Sequence, residues 1–150
     1  SLDAIARLAR AGFTVTVASN QAGLGRGLFD MTALEAIHQK MQTSVQAAGG
    51  TLAGIFFCPH RPEDRCDCRK PAPGLLHRIA QQFDVPLSRV PVIGDSLRDL
   101  QAAHAVGARP MLVLTGNGEQ TRMQLPGELA DVEVFADLAA AVTALIGTTS

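Results

Sequence analysis

No apolar run in this 150-residue sequence is long enough to cross a bilayer. The longest, residues 52–58 and 110–114, have the length of buried strands, and residues 1–12 read as an amphipathic helix rather than a leader. A membrane is therefore not an expected partner, and the cytoplasm is the expected compartment. An excess of one charge is missing too. Thirteen Lys and Arg face fourteen Asp and Glu for a net charge of −1, with the basic residues scattered along the chain. That excludes a general electrostatic pull toward nucleic acid, so an anionic ligand must be held locally. There is no internal repeat and no low-complexity stretch, which excludes a solenoid; residues 148–150 read as a frayed end. Cysteine is scarce: the three thiols, Cys58, Cys66 and Cys68, fall within eleven residues. An odd, clustered set suits a metal site in a reducing compartment better than a disulfide framework, and residues two apart rarely bring their sulfurs into bonding geometry.

With 47% hydrophobic and 18% charged residues, the chain can bury one sizeable core, so a single domain over residues 1–150 is expected. Leu2, Ile5, Leu8 and Ala9 recur at helical spacing and Gly12 stops that helix. Residues 13–18 read as a strand ending in the turn Ser19-Asn20-Gln21. A glycine-rich loop follows, then a helix carrying Leu34, Ile37, Met41 and Val45 up to Gly49-Gly50. Residues 52–57 are the next strand, 58–73 a Pro- and Cys-rich loop, and 74–83 a helix. Strands are expected at 90–93, 111–114 and 133–135, with helices at 99–106 and from Asp137 through Leu145. Strand and helix alternate throughout. The expected fold class is α/β, a Rossmann-like, doubly wound parallel sheet with its ligand in the crevice beyond the carboxyl ends of the strands.

Four constellations lie at those ends. Cys58-Pro59-His60 is followed after five residues by Cys66-Asp67-Cys68, three thiolates and an imidazole in one loop. These are the ligands of a closed tetrahedral zinc, a structural site that replaces the core so short a loop lacks. Gly94-Asp95-Ser96-Leu97-Arg98-Asp99 follows the strand 90–93. The glycine permits a sharp turn, and Asp95 then offers an oxygen ligand to a hard cation such as Mg²⁺. Asp99, one helical turn on, either accepts a hydrogen bond from the metal-site loop or caps the helix. Arg69-Lys70-Pro71 is joined directly to the zinc loop, which would hold Lys70 rigidly enough to neutralise a phosphoryl oxygen. Ser19-Asn20-Gln21 offers a hydroxyl and successive backbone amides to a phosphate. His38, His77 and His104 have no partner at metal spacing and are read as surface or satisfied histidines.

Together these motifs resemble the histidinol-phosphatase-like branch of the haloacid dehalogenase superfamily, over about residues 2–145. The resemblance implies a Mg²⁺-dependent phosphomonoester hydrolase with a zinc loop at 58–71. Asp95 would bind Mg²⁺, and Cys58, His60, Cys66 and Cys68 would bind structural Zn²⁺. Ser19 and Lys70 would steady the transferring phosphoryl group, while Asn20, Gln21, Ala22, Arg69 and Ser96 would help to hold substrate. It also implies an aspartyl-phosphate made by an Asp-x-Asp pair on a first strand. No Asp-x-Asp occurs in the sequence. Relative to that family the chain is expected to be amino-terminally incomplete, to have its sheet split between the strands ending at Ser19 and Ile93, and as 150 residues to be inactive.

The short Cys-Pro-His to Cys-Asp-Cys spacing resembles the histidinol-phosphate members of the branch. Residues 23–29 and 95–116 resemble the members that act on heptose phosphates in lipopolysaccharide precursor synthesis, which is the preferred reading. The expected partner is a small phosphorylated sugar, and the expected state a monomer. A reading from another class is a non-catalytic, zinc-stabilised binding module.

Overall fold

The computed structural model describes residues 2–20, 31–50, 52–58, 70 and 72–148. Helix α1 (Leu2–Arg10) ends in a Schellman turn. Gly12, at φ +96°, donates its N–H to Ala9, and the Phe13 N–H reaches back to Leu8. Phe13 is thereby used by the helix cap, packing into the same cluster as Leu8, so strand β1 is Thr16–Asn20 rather than 13–18. Helix α2 (Met31–Ala47) and strand β2 (Gly54–Cys58) follow. Helix α3 (Gly74–Phe83) has the expected bounds.

Beyond it come strand β3 (Pro91–Gly94), helix α4 (Leu97–Ala105) and strand β4 (Arg109–Val113). Helix α5 (Gly118–Met123), strand β5 (Glu133–Phe135) and helix α6 (Leu138–Thr148) complete the order. Helix α4 starts two residues before the expected position because the Ser96 hydroxyl caps it, accepting the Arg98 N–H at 3.2 Å. Asp137 caps α6 as expected, accepting the Ala140 N–H at 2.8 Å. Helix α5 was not expected from sequence: six residues behind two glycines carry no apolar period.

All strand pairs are parallel, in two sheets. One is β1–β2, in register from Thr16 opposite Gly54 to Asn20 opposite Cys58. The other is β3–β4–β5, with Gly94 opposite Leu112 and Val113 opposite Phe135. This is the expected split, and apolar layers bridge it on both faces. On one face α1 and α6 bury Ala4, Leu8, Ala141, Val142 and Leu145 against Met111 and Val113, with Val15, just before β1, and Ile93 of β3 joining them. On the other, Leu76 and Ile79 of α3 and Ala102 of α4 pack against Ala18 and Phe56 of one sheet and Val92 of the other. Alternation along β4 gives Met111 and Val113 to the first layer and Leu112 to a cluster with Leu100 and Leu129. Helices on both faces of parallel strands are the doubly wound arrangement read from the sequence. No helix among the described residues is long and apolar enough to cross a membrane.

Candidate functional site

Between β1 and β3 lies an open groove of about 120 Å³, lined by Thr16 and Ala18 on one side, Val92 and Ile93 on the other, and Lys70 with Asp99. Lys70 donates to the Ala18 carbonyl at 3.1 Å and to Asp99 Oδ1 at 2.5 Å. Its side chain is 18% exposed and that of Asp99 15%, so most of the pair is screened from water. An ammonium held at two points on a rigid strand and helix is oriented, unlike a solvated surface lysine. Of the two roles open to Asp99, the structure favours the hydrogen bond: Ser96 supplies the helix cap, and the carboxylate receives Lys70.

Gly94 explains how Asp99 gets so close. A Cβ built there would overlap the Asp99 side chain, approaching its Cγ to 2.7 Å. The strand–turn–helix of residues 91–105 therefore packs Asp99 against Gly94, next to Asp95 in sequence, and Lys70 joins them from the other side. The Asp95 carboxylate is oriented independently: Oδ2 accepts the Asn117 N–H at 2.9 Å, and the Asp95 carbonyl accepts the Thr121 hydroxyl at 2.7 Å. Among the described residues Oδ1 accepts no hydrogen bond.

The sequence-derived residues thus divide. Lys70 and Asp99 line one groove beside Ala18, the residue before Ser19, and Asp99 packs against Gly94, the residue before Asp95. The backbones of Ser19 and Asn20 end β1 beside Phe57 and Cys58. Cys58 is fully buried there, under Leu75 of α3. The side chains of Ser19 and Asn20, and the residues Gln21, Ala22, His60, Cys66, Cys68 and Arg69, lie outside the described residues. Ser96 caps α4 with its hydroxyl. Sequence reasoning missed Gly116, Asn117 and Thr121. The run Thr115-Gly116-Asn117-Gly118 directly after a strand was their signal.

Asp95 suits a magnesium ion as one hard oxygen ligand with an open lone-pair face, since Mg²⁺ is commonly held by one or two carboxylates together with water and substrate phosphate. No group of three or more His, Cys, Asp or Glu that could hold a metal occurs among the described residues; of the four expected zinc ligands only Cys58 is among them.

Known proteins share this fold. A family model described as HAD-hydrolase-like matches residues 67–141. The D-glycero-beta-D-manno-heptose-1,7-bisphosphate 7-phosphatase of Bordetella bronchiseptica is 52% identical over 147 residues, covering 97% of this chain and 81% of that protein. Its namesake in Pseudomonas aeruginosa is 48% identical over 148 residues, covering 97% and 81%. The crystal structure of the D,D-heptose 1,7-bisphosphate phosphatase of B. bronchiseptica, complexed with magnesium and phosphate, superposes with a TM-score of 0.92 at 51% identity, over 99% of this chain and 82% of that one. The corresponding structure from Burkholderia thailandensis gives a TM-score of 0.76 at 43% identity, over 97% and 83%. The chain belongs to the HAD-hydrolase-like family, in the group of the heptose-1,7-bisphosphate 7-phosphatases.

Proposed function

We propose that this chain is a Mg²⁺-dependent phosphomonoesterase that removes the 7-phosphate of D-glycero-beta-D-manno-heptose 1,7-bisphosphate, a step in making lipopolysaccharide precursors. The observation that carries the reading is Lys70, fixed between the Ala18 carbonyl and Asp99 beside the Gly94-Asp95 turn. Phosphoryl transfer needs charge neutralised on the equatorial oxygens more than it needs protein-supplied covalent chemistry. Lys70 offers that charge in a partly dry crevice. Ser19, with the turn that follows it, binds the phosphoryl oxygens, and Arg69 and Ser96 contact the remainder of the substrate. Asp95 would hold Mg²⁺, whose chemistry there would be to offset phosphoryl charge.

The 150 residues contain no Asp-x-Asp pair. Cys58, His60, Cys66 and Cys68 hold one structural Zn²⁺, consistent with Cys58 being buried at the end of β2. Metal analysis should find one zinc per chain, lost together with folding stability when Cys66 or Cys68 is replaced by Ser.

The deciding experiment measures phosphate release from heptose 1,7-bisphosphate and from histidinol phosphate, with Mg²⁺ and with chelator, using the protein expressed from its own gene. Faster Mg²⁺-dependent turnover of the heptose ester supports the reading. A preference for histidinol phosphate moves the substrate to that branch, which the short spacing between the cysteine motifs favours. Zinc content without turnover of either would leave a zinc-stabilised binding module.

A further inference from the structure

Asp95 is held by residues of the segment that follows β4. We infer that Gly116, Asn117 and Thr121 form a clamp that fixes Asp95 as a one-oxygen magnesium ligand, so that the loop between β4 and α5 sets metal affinity. The inference rests on the reading of Asp95 as the Mg²⁺ ligand.

The clamp has three parts. The Asn117 N–H holds Oδ2 at 2.9 Å, leaving Oδ1 as the oxygen open to an ion. The Thr121 hydroxyl holds the Asp95 carbonyl at 2.7 Å, so main chain and side chain are both pinned. Thr121 is only 5% exposed, and its own N–H donates to the Asn117 carbonyl at 3.0 Å, tying the two contacts into one unit. Gly116 sits at φ +60°, and a Cβ there would overlap Asp95 Oδ2 and lie 3.3 Å from its Cγ. Conformation and space thus both select glycine. Gly118 locks the base of the loop, because a Cβ on it would run into the Val113 carbonyl of β4. Mg²⁺ accepts little departure from octahedral geometry, so a carboxylate free to rotate, or to offer both oxygens, binds it less well. Partners that orient a metal ligand are commonly worth about 10–100-fold in metal affinity.

Gly107 supplies the control. Its φ is +73°, close to that of Gly116, but a Cβ there meets nothing within 4 Å. Asn tolerates this left-handed conformation, so Gly107→Asn and Gly116→Asn share the backbone change and differ in whether a Cβ pushes on Asp95. Ion binding is read directly, as the loss of the free Mn²⁺ paramagnetic signal on titration and its reversal by Mg²⁺, on the protein expressed from its own gene, with thermal unfolding recorded for each variant. Gly116→Asn and Thr121→Val should weaken ion binding by about 10–100-fold, Thr121→Ser should restore it, and Gly107→Asn should leave it within about two-fold of wild type. Folded Gly116→Asn and Thr121→Val proteins that bind the ion as wild type does, while Asp95→Asn loses it, would overturn the clamp and leave the Mg²⁺ role of Asp95 standing. Should Asp95→Asn itself bind normally, the reading of Asp95 falls and the clamp with it. If Thr121→Val does not fold, Gly116→Asn and Thr121→Ser carry the test.

Discussion

Asp95 and Lys70 are held in opposite ways. Asp95 is fixed from within its own half of the molecule, by the β4–α5 loop that follows the neighbouring strand. Lys70 is fixed across the division, donating to Ala18 of the β1–β2 sheet and to Asp99 on α4, which packs on the β3–β4–β5 sheet. One group is indifferent to how the two sheets sit relative to each other, and the other reports on it. On the proposed roles, metal binding is set within one half, whereas the cation proposed to meet the phosphoryl group is in place only when both halves are assembled.

Removing Lys70 breaks the comparison most severely. Lys70→Ala should lower kcat by about 10²–10³-fold, the usual loss when one oriented charge or donor is taken from a developing oxyanion. Ion binding read from the Mn²⁺ signal should stay near wild type, because the contacts that orient Asp95 come from Asn117 and Thr121. Equal losses in turnover and in metal affinity would mean that the two sites are one unit.

Replacing Asp99 attacks the link between the halves. Asp99→Ala takes the carboxylate away from a mostly buried ammonium, and should cost about 3 kcal/mol in urea unfolding, the low end of what breaking a buried pair costs. Asp95→Ala breaks contacts with the Asn117 amide alone on the side-chain side, and should cost about 1 kcal/mol. A reversed order would show that the loop clamp, rather than the Lys70 bridge, carries the stability of the crevice.

How much of this could be read from the sequence follows the same division. The β3 turn was legible because Gly94, Asp95 and Asp99 are close in sequence and sit where a strand gives way to a helix. Lys70 was legible only through its attachment to the cysteine loop. That its partners are the Ala18 carbonyl and Asp99 could not be read, because a backbone carbonyl leaves no mark on the sequence and Asp99 had a capping role open to it until Ser96 was seen to fill it. Strand limits shifted where tertiary contacts compete with pattern. Phe13 was drawn into the cap of α1, and Arg109 was drawn into β4 by its N–H bond to Val90 and its ion pair with Glu133. The loop behind Asp95 was missed because its residues act through main-chain groups and through the absence of a Cβ.

Asp84 offers a smaller effect on the β1–β2 side. Helices α1, α2 and α4 each end just before a glycine at positive φ (Gly12, Gly49 and Gly107), whereas α3 ends on Asp84 at φ 51° and ψ 52°. Asp tolerates this region less well than Gly. Asp84→Gly should therefore raise stability by about 0.5–1 kcal/mol without changing turnover, which urea unfolding and a phosphate-release assay together check.

The smallest effect belongs to the other half, where Arg109 joins β4 to β5. Its Nε and Nη2 donate to the two Glu133 oxygens at 2.6 and 2.8 Å, a bidentate pair. The hydrogen bond from Arg109 is the main cause of a lowered Glu133 pKa, aided by the attraction of the two charges and opposed by desolvation. The same contact raises the Arg109 pKa further above an already high value, so arginine stays charged wherever the protein is folded. The pH dependence then comes from Glu133 alone. A depressed carboxylate stabilises the fold fully above the ordinary carboxylate pKa and loses that contribution as pH falls through the lower, folded value. The side chains are 39% and 41% exposed, so solvent screening limits the gain to about 0.5 kcal/mol or less. Wild type should exceed Glu133→Gln by that margin in urea midpoints near neutral pH and at low salt, and the two should converge as the solution is acidified past the carboxylate range. A margin that survived acidification would mean that Glu133 stabilises the β4–β5 edge by packing rather than by charge.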